Sequence, residues 1–266
     1  MFHKLVVSIA TFLMTVGTAF ACGPDTDCQV GDRTYRVALP SAPTGAAFIF
    51  VHGYQGTAAG AMGNRSLRRL AEDLGAVMIA VQAGANDWNI PGAPNESVNH
   101  SSDELAYFDA VMADATARFG VDPARTLVTG FSAGSMVVWN LACERGTSFA
   151  GFAPVSGTFW APTPTSCPTG PVNLIHYHGD ADTTVPMEGR AIGPAHQGSV
   201  TQAFALMTAT GGYGPAVPRA ATDLTCNRQT DPAGHILELC MFAGGHSFKT
   251  SFVADAWAQL GIDRGR

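Results

Sequence analysis

Positive charge is scarce in this chain of 266 residues: 15 Lys and Arg stand against 21 Asp and Glu, a formal net charge of −6. Apart from Arg65, Arg68 and Arg69 there is no basic cluster, which excludes the extended positive face that nucleic-acid binding demands. Those three arginines sit on one short segment of helical spacing and read as an ordinary solvated face. Cysteine is also sparse, and none of the six has the CxxC spacing of a metal or redox site. No internal repeat, low-complexity tract or linker interrupts the chain. With 46% hydrophobic and 14% charged residues, it has the means to bury one sizeable core, and a single domain is expected. A membrane-spanning run is missing too: the one candidate, Leu5 to Phe20, falls short of the roughly 20 apolar residues a crossing helix needs.

That short run fits export instead. Lys4 supplies a positive n-region, Leu5 to Phe20 an apolar h-region, and Ala19-Phe20-Ala21 a small-x-small cleavage site. Residues 1–21 are therefore expected to be a signal peptide and residues 22–266 one mature domain, secreted or periplasmic, with no membrane contact after cleavage. Loss of Lys4 leaves 14 basic against 21 acidic residues, a charge of −7. Cys22 directly after the cut raises bacterial lipidation, but lipoprotein signals have Leu where Ala19 stands and a small residue where Phe20 stands. All six cysteines fall in the mature part, where an oxidising compartment favours pairing over a reactive thiol. Sequence alone does not select a connectivity; nearest-neighbour pairing would join Cys22 to Cys28, Cys143 to Cys167 and Cys226 to Cys240.

Hydrophobic patterning predicts an early strand over 34–39 and a nearly continuous apolar strand over 46–52, the second suited to burial on both faces of a parallel sheet. Helical spacing over 66–74 and a second buried strand over 76–81 complete a βαβ unit. Residues 82–100 are rich in Gly, Pro and Asn and form a long loop carrying Trp88. Ser101 and Glu104 have capping-box spacing, and Leu105, Phe108, Met112, Ala115 and Phe119 continue as a helix from Ser102 to Phe119. A short strand over 126–129, a helix over 135–143, strands over 151–155 and 172–178, and a closing helix over 247–260 follow. This alternation implies an α/β fold: a mostly parallel central sheet with helices on both faces.

Between the strand ending at Thr129 and the helix starting at Ser135 stands Gly130-Phe131-Ser132-Ala133-Gly134. A GxSxG match alone is weak, since an ordinary turn serine fits it equally well; the position of Ser132 between a strand and a helix is what a nucleophile elbow requires. The turn is strained and packs tightly, hence the small residues Gly130, Ala133 and Gly134. A serine hydroxyl attacks only when an imidazole takes its proton, and a carboxylate must orient that imidazole. In the α/β-hydrolase fold the chain order is Ser, then Asp or Glu, then His. Asp182 follows the strand ending at His178, and His246 lies in a glycine-rich loop before the last helix. Asp180 competes with Asp182 but suits local amide bonding in the turn. His176, His178, His196 and His235 suit structural or surface roles, and His52 that of a buried core histidine. For the oxyanion, one main-chain N–H is expected from Ala133 and a second from Tyr54, after the strand that ends at His52.

Together these residues resemble the secreted poly(3-hydroxybutyrate) depolymerase-like esterases and carbohydrate esterase family 1, the feruloyl and acetylxylan esterases. The resemblance runs from about Tyr35 onward. It is carried by His52-Gly53-Tyr54, by Trp88, by Val121-Asp122-Pro123-Ala124-Arg125 and by the Ser132 motif. His178-Gly179-Asp180-Ala181-Asp182 with Val185-Pro186, and Gly244-Gly245-His246-Ser247, complete it. It implies a serine carboxylesterase with Ser132, Asp182 and His246 as triad, Trp88 as a lining residue of the acyl pocket, and no cofactor. The expected partner is a small or oligomeric ester substrate, acted on by a monomer. The polymer-degrading members resemble two-part proteins with a linker and a polymer-binding domain, and this sequence carries neither.

Three rival readings use the same residues. His176-Tyr177-His178-Gly179-Asp180-Ala181-Asp182 is similar to the HxHxDH ligand run of metallohydrolases, and strand alternation would put His176 and His178 on one face. Against this, Asp182 stands where the last His belongs, and the Ser132 and His246 motifs are left unexplained. A non-catalytic hydrolase-fold binding protein would be expected to have lost a triad residue. A peptidase or lactonase would use the same triad.

Overall fold

The computed structural model describes residues 22–84, 87–94 and 104–262; the expected signal peptide and Ser101 lie outside them. Its frame is a ten-stranded sheet. The strands are β1 (Cys28–Val30), β2 (Arg33–Ala38), β3 (Ala47–Val51), β4 (Val77–Val81), β5 (Thr126–Phe131), β6 (Gly151–Val155), β7 (Leu174–Gly179), β10 (Val217–Ala221), β11 (Leu224–Thr230) and β12 (Ile236–Phe242). A separate two-stranded ribbon pairs β8 (Ala191–Ile192) with β9 (Ala195–His196). In space the order is β1-β2-β4-β3-β5-β6-β7-β12-β11-β10. The stretch from β4 to β12 is parallel throughout, as the buried apolar runs predict. Both flanks are antiparallel: β1 and β2 on one side, β11 and β10 on the other.

Successive residues of a strand point to opposite faces, and the central strands are apolar on both. In β3, Ala47, Ile49 and Val51 enter one core cluster while Phe48 and Phe50 enter the other. The first cluster is covered by α3 (Glu104–Phe119), α4 (Ala133–Glu144) and α5 (Val200–Gly211), the second by α1 (Ala58–Gly63), α2 (Arg65–Leu74) and α6 (Thr250–Leu260). The cysteines pair as nearest neighbours, 22 with 28, 143 with 167 and 226 with 240. The first bridge engages the Cys22 sulfur that lipidation would need. The third joins partners directly opposite one another on β11 and β12.

Several elements differ from the sequence-based expectation. The 217–242 meander and α5 were not anticipated. Leu224–Thr230 is polar at five of its seven positions and Val217–Ala221 contains Pro218, so neither resembles a buried strand. The capping box falls on Ser101, outside the described residues, while the Glu104 carboxylate meets Arg33 at 2.8 Å and accepts the Asn89 amide at 3.0 Å. That buried ion pair ties β2 and α3 to the loop carrying Trp88, and the Arg33 guanidinium lies 3.8 Å from the centre of the Tyr107 ring.

Helix α4 runs unusually close to β3. A Cβ on Gly134 would overlap the Val51 carbonyl oxygen and stand 2.5 Å from that of His52, while one on Gly130 would stand 2.6 Å from the Gly134 oxygen. Gly134→Ala should therefore cost about 3 kcal/mol, at the upper end of overpacking changes, seen as a lower midpoint in urea unfolding. A midpoint equal to the parent's would show that the two elements can separate freely.

Candidate active site

Four segments that leave the carboxyl ends of parallel strands converge, the usual place for a site in such a sheet. Ser132 follows β5, His52 to Gly56 follow β3, Asp180 to Val185 follow β7, and Ala243 to His246 follow β12. Ser132 is held at φ 58° and ψ −122°, a region that non-glycine residues enter only when the surroundings dictate it. Its amide donates to the Val155 carbonyl at 3.0 Å and its carbonyl accepts the Met136 amide at 3.1 Å. The strained turn is thus fixed at both peptide groups. The hydroxyl makes no hydrogen bond among the described residues and is left available.

Asp182 is buried and uses both carboxylate oxygens. Oδ1 accepts the main-chain amides of Thr184 and Val185, each at 2.9 Å. Oδ2 accepts from His246 Nδ1 at 2.8 Å. Burial alone would raise the Asp182 pKa, but the Val185 amide and the His246 imidazole together more than offset it, and the net shift is downward. The carboxylate therefore stays ionised. The His246 ring packs on Phe131, with centroids 4.6 Å apart, beside Ser132 in the chain. The pair Asp182–His246 and the turn at Ser132 are thus brought together. Among the described residues the His246 ring bonds Asp182 and makes no hydrogen bond to Ser132.

Asp180 has another task, bonding the partner loop rather than its own turn. Its Oδ1 accepts the Gly244 amide at 3.0 Å, its own amide donates to Phe242 O at 3.0 Å, and the Ala181 amide donates to Gly244 O at 2.9 Å. The loops carrying Asp182 and His246 are zipped together by these bonds. His235 pairs with Asp231 at 2.8 Å within a turn, and His196 bonds the Gln197 carbonyl.

The segment after β3 crosses close to the Ser132 turn: a Cβ on Gly53 would lie 3.3 Å from Ser132 Cβ. Residues 53–56 form a turn closed by Gly56 N to Gly53 O at 2.9 Å, with Gln55 at φ 57°. The main-chain N–H groups of Tyr54 and Ala133 are engaged by no other described residue, and the Tyr54 side chain is 62% exposed. His52 is buried, its Nδ1 donating to Gly53 O at 2.9 Å and its Nε2 accepting the Ala83 amide at 3.2 Å, which makes it a structural core histidine, as expected. Trp88 differs from expectation. It is 1% exposed, its indole N–H donates to the His52 carbonyl at 2.8 Å, and it packs on the His52 and Phe108 rings. Trp88 supports the loop from below instead of forming an open pocket wall. Nothing in the local sequence distinguished these two uses of a loop tryptophan.

The metal reading of His176 and His178 is also corrected. His176 Nε2 bonds His178 Nδ1 at 2.9 Å, and His178 Nε2 bonds the Val185 carbonyl at 2.8 Å. Both nitrogens of His178 are committed, leaving it no lone pair for an ion.

Burial is the leading cause that lowers the pKa of His52, His176 and His178. Each binds a proton more readily unfolded than folded. Folding stability is thus fully present above the unfolded histidine pKa of about 6.5 and is lost as pH falls below it, by up to about 1.4 kcal/mol per pH unit for each histidine. Thermal melts should show a flat midpoint above about pH 7 and a declining one below. A midpoint unchanged down to about pH 5 would contradict the neutral assignment.

Comparison with known proteins finds esterases. Residues 95–209 match the family model described as Phospholipase/Carboxylesterase. The chain is 30% identical over 168 residues to "Putative esterase NocK" of Nocardia uniformis subsp. tsuyamanensis, which covers 61% of this chain and 49% of that protein. It is 26% identical over 152 residues to feruloyl esterase C of Emericella nidulans, covering 56% of this chain and 52% of that one. The chain thus spans about half the length of these curated relatives. Among solved structures, acetyl xylan esterase from Aspergillus awamori superimposes with a TM-score of 0.64 over 92% of this chain and 97% of that chain, at 14% identity. A phospholipase/carboxylesterase from Dyadobacter fermentans gives 0.58 over 88% and 98%, at 16% identity. At such identities the structural likeness concerns the fold. The chain has the α/β-hydrolase fold and is similar in sequence to carboxylesterases and feruloyl esterases.

Proposed function

We propose that this protein is an exported serine carboxylesterase that works through an acyl-enzyme. The observation that carries the proposal is the 2.8 Å bond between His246 Nδ1 and a buried, ionised Asp182, with the imidazole packed beside the strained Ser132 turn. In this reading Ser132 Oγ attacks the ester carbonyl carbon while His246 Nε2 takes the hydroxyl proton. Asp182 keeps the imidazole in the productive tautomer and stabilises it when charged. The carbonyl oxygen gains negative charge and is met by the amides of Tyr54 and Ala133, each worth on the order of 3 kcal/mol of barrier. Collapse expels the alcohol, which leaves with the proton held by His246. Water, activated by the same imidazole, then releases the acid and restores Ser132. The reaction needs no cofactor.

Three observations bear on substrate and location. A relative is named feruloyl esterase, and the exposed Tyr54 ring beside the nucleophile turn offers a flat face to an aryl or sugar group. The proposed substrates are therefore aryl or acetyl esters on plant polysaccharide, ahead of hydroxyalkanoate oligoesters. The three disulfides support passage through an oxidising compartment.

Ser132→Ala should lower ester turnover by up to about a millionfold, because the three groups act as a unit. A fluorophosphonate should leave its mass on the peptide containing Ser132. Substantial turnover by the purified alanine variant would overturn the reading. Tyr54 tests the oxyanion assignment separately. It occupies the second position of the 53–56 turn, where proline is tolerated, so Tyr54→Pro removes the N–H and largely spares the turn. The proline variant should lose roughly 100- to 1000-fold in kcat, whereas Tyr54→Ala, which keeps the N–H, should stay near the parent on a small alkyl ester. Equal kcat in both variants would remove Tyr54 from the oxyanion site. Methyl ferulate, acetylated xylan and a 3-hydroxybutyrate dimer, assayed side by side, decide the substrate class; turnover of the dimer alone would move it to hydroxyalkanoates.

A further inference from the structure

The buried pair His176 and His178 is not used in the chemistry above, yet it touches that chemistry from behind. A carbonyl oxygen only accepts, so the 2.8 Å contact to Val185 O puts the proton of His178 on Nε2. His178 Nδ1 is then the acceptor for the Nε2–H of His176 at 2.9 Å. The second ring fixes the tautomer of the first, as outer partners do for functional histidines. The His176 ring is itself confined by Trp139 and Phe204, with centroids 5.5 and 6.1 Å away.

Val185 is held at both of its peptide groups. His178 takes its carbonyl, while its amide donates to Asp182 Oδ1 at 2.9 Å. His178 Nε2 also lies 3.8 Å from Asp182 Oδ2, the oxygen that accepts from His246. We propose that His178, steadied by His176, is a positioning residue: it anchors the 182–185 turn through Val185 O and so aims Asp182 at His246. The inference rests on the triad reading. The arrangement works only with a neutral His178, because a cation there would compete with His246 for the same carboxylate oxygen. Burial, the leading influence on this ring, favours the neutral form against the opposing pull of Val185 O and Asp182. The position also accounts for the histidine that opens the His178-Gly179-Asp180-Ala181-Asp182 run without invoking a metal.

Three substitutions separate this role from mere packing. The Gln amide N–H reaches about where Nε2–H stands, the Asn amide is too short to reach Val185, and Leu fills space without any donor. Hydrolysis of p-nitrophenyl butyrate is measured on each full-length variant after near-UV circular dichroism has established its fold. His178→Asn and His178→Leu should lower kcat roughly 10- to 100-fold with KM within about twofold of the parent, the size of loss that follows a small misplacement of a reacting group. His178→Gln should recover most of that loss. In an Asp182→Ala background the same His178 changes should have almost no further effect on kcat. Near-parental kcat in the Asn variant would overturn the proposal. So would equal losses in Gln and Asn, or an undiminished effect in the Asp182→Ala background. If the Leu variant does not fold, the Asn and Gln pair alone decides. Failure of the triad reading is registered independently, by turnover that survives Ser132→Ala.

Discussion

The close approach of α4 to β3 is the constraint on which the rest of this molecule depends. Gly134 lies where any side chain would collide with the carbonyls of Val51 and His52, so the helix can begin only directly over the end of the strand. To enter it there, the chain must turn at Ser132 with a positive φ, which lifts the hydroxyl clear of its neighbours. The same carbonyl of His52 that excludes a side chain at 134 is bonded by the Trp88 indole, and the His52 ring is bonded by the Ala83 amide and the Gly53 carbonyl. The loop bearing Tyr54 is thereby set against the Ser132 turn. Strain at one residue is maintained by packing spread over three elements, the general condition for such strain to persist.

Behind this front buried carboxylates are paired with arginines at both ends of the sheet. Glu238, fully buried on β12, is met by Arg219 at 2.6 Å and Arg228 at 2.8 Å, two cations from the antiparallel flank. Arg33 and Glu104 do the same on the opposite side of the sheet. Such pairs add little net stability, but removing one member leaves an uncompensated buried charge. They fix the two ends of a sheet whose middle carries the proposed chemistry, while the buried histidines close to that chemistry are held neutral.

The central features were legible in the sequence because each leaves a mark that depends on few neighbours. A strand buried on both faces must be apolar at every position, and 47–51 and 77–81 are. The turn at Ser132 needs small residues at 130, 133 and 134, and has them. Asp182 and His246 stand at strand ends in the required order. What was not legible depends on partners distant in sequence. Leu224–Thr230 is polar at 225 and from 227 to 230, with only Cys226 buried, and it is the pairing with β12 that makes it part of the sheet. The helical recurrence of Val200, Ala203, Phe204 and Met207 was there to be seen. The fate of Trp88 was set by His52, whose carbonyl it reaches across 36 residues. The link from His178 to Asp182 runs through the Val185 peptide groups and leaves no mark in residue type.

Asp180 bonds Gly244 across a separation of 64 residues, and with its neighbours it clips two loops together at the rim of the sheet. The chain between the clipped points, which includes the β8–β9 ribbon, α5 and the β10–β11 hairpin, is a closed excursion anchored at its base. An excursion fastened in this way can be lengthened, shortened or exchanged at its tips, such as Gly193 or Asp223, without disturbing what lies at the base. This fold therefore separates the inheritance of a reaction from the inheritance of a substrate. Recombination or engineering can redraw the outlying surface while the atoms at the clip keep their spacing.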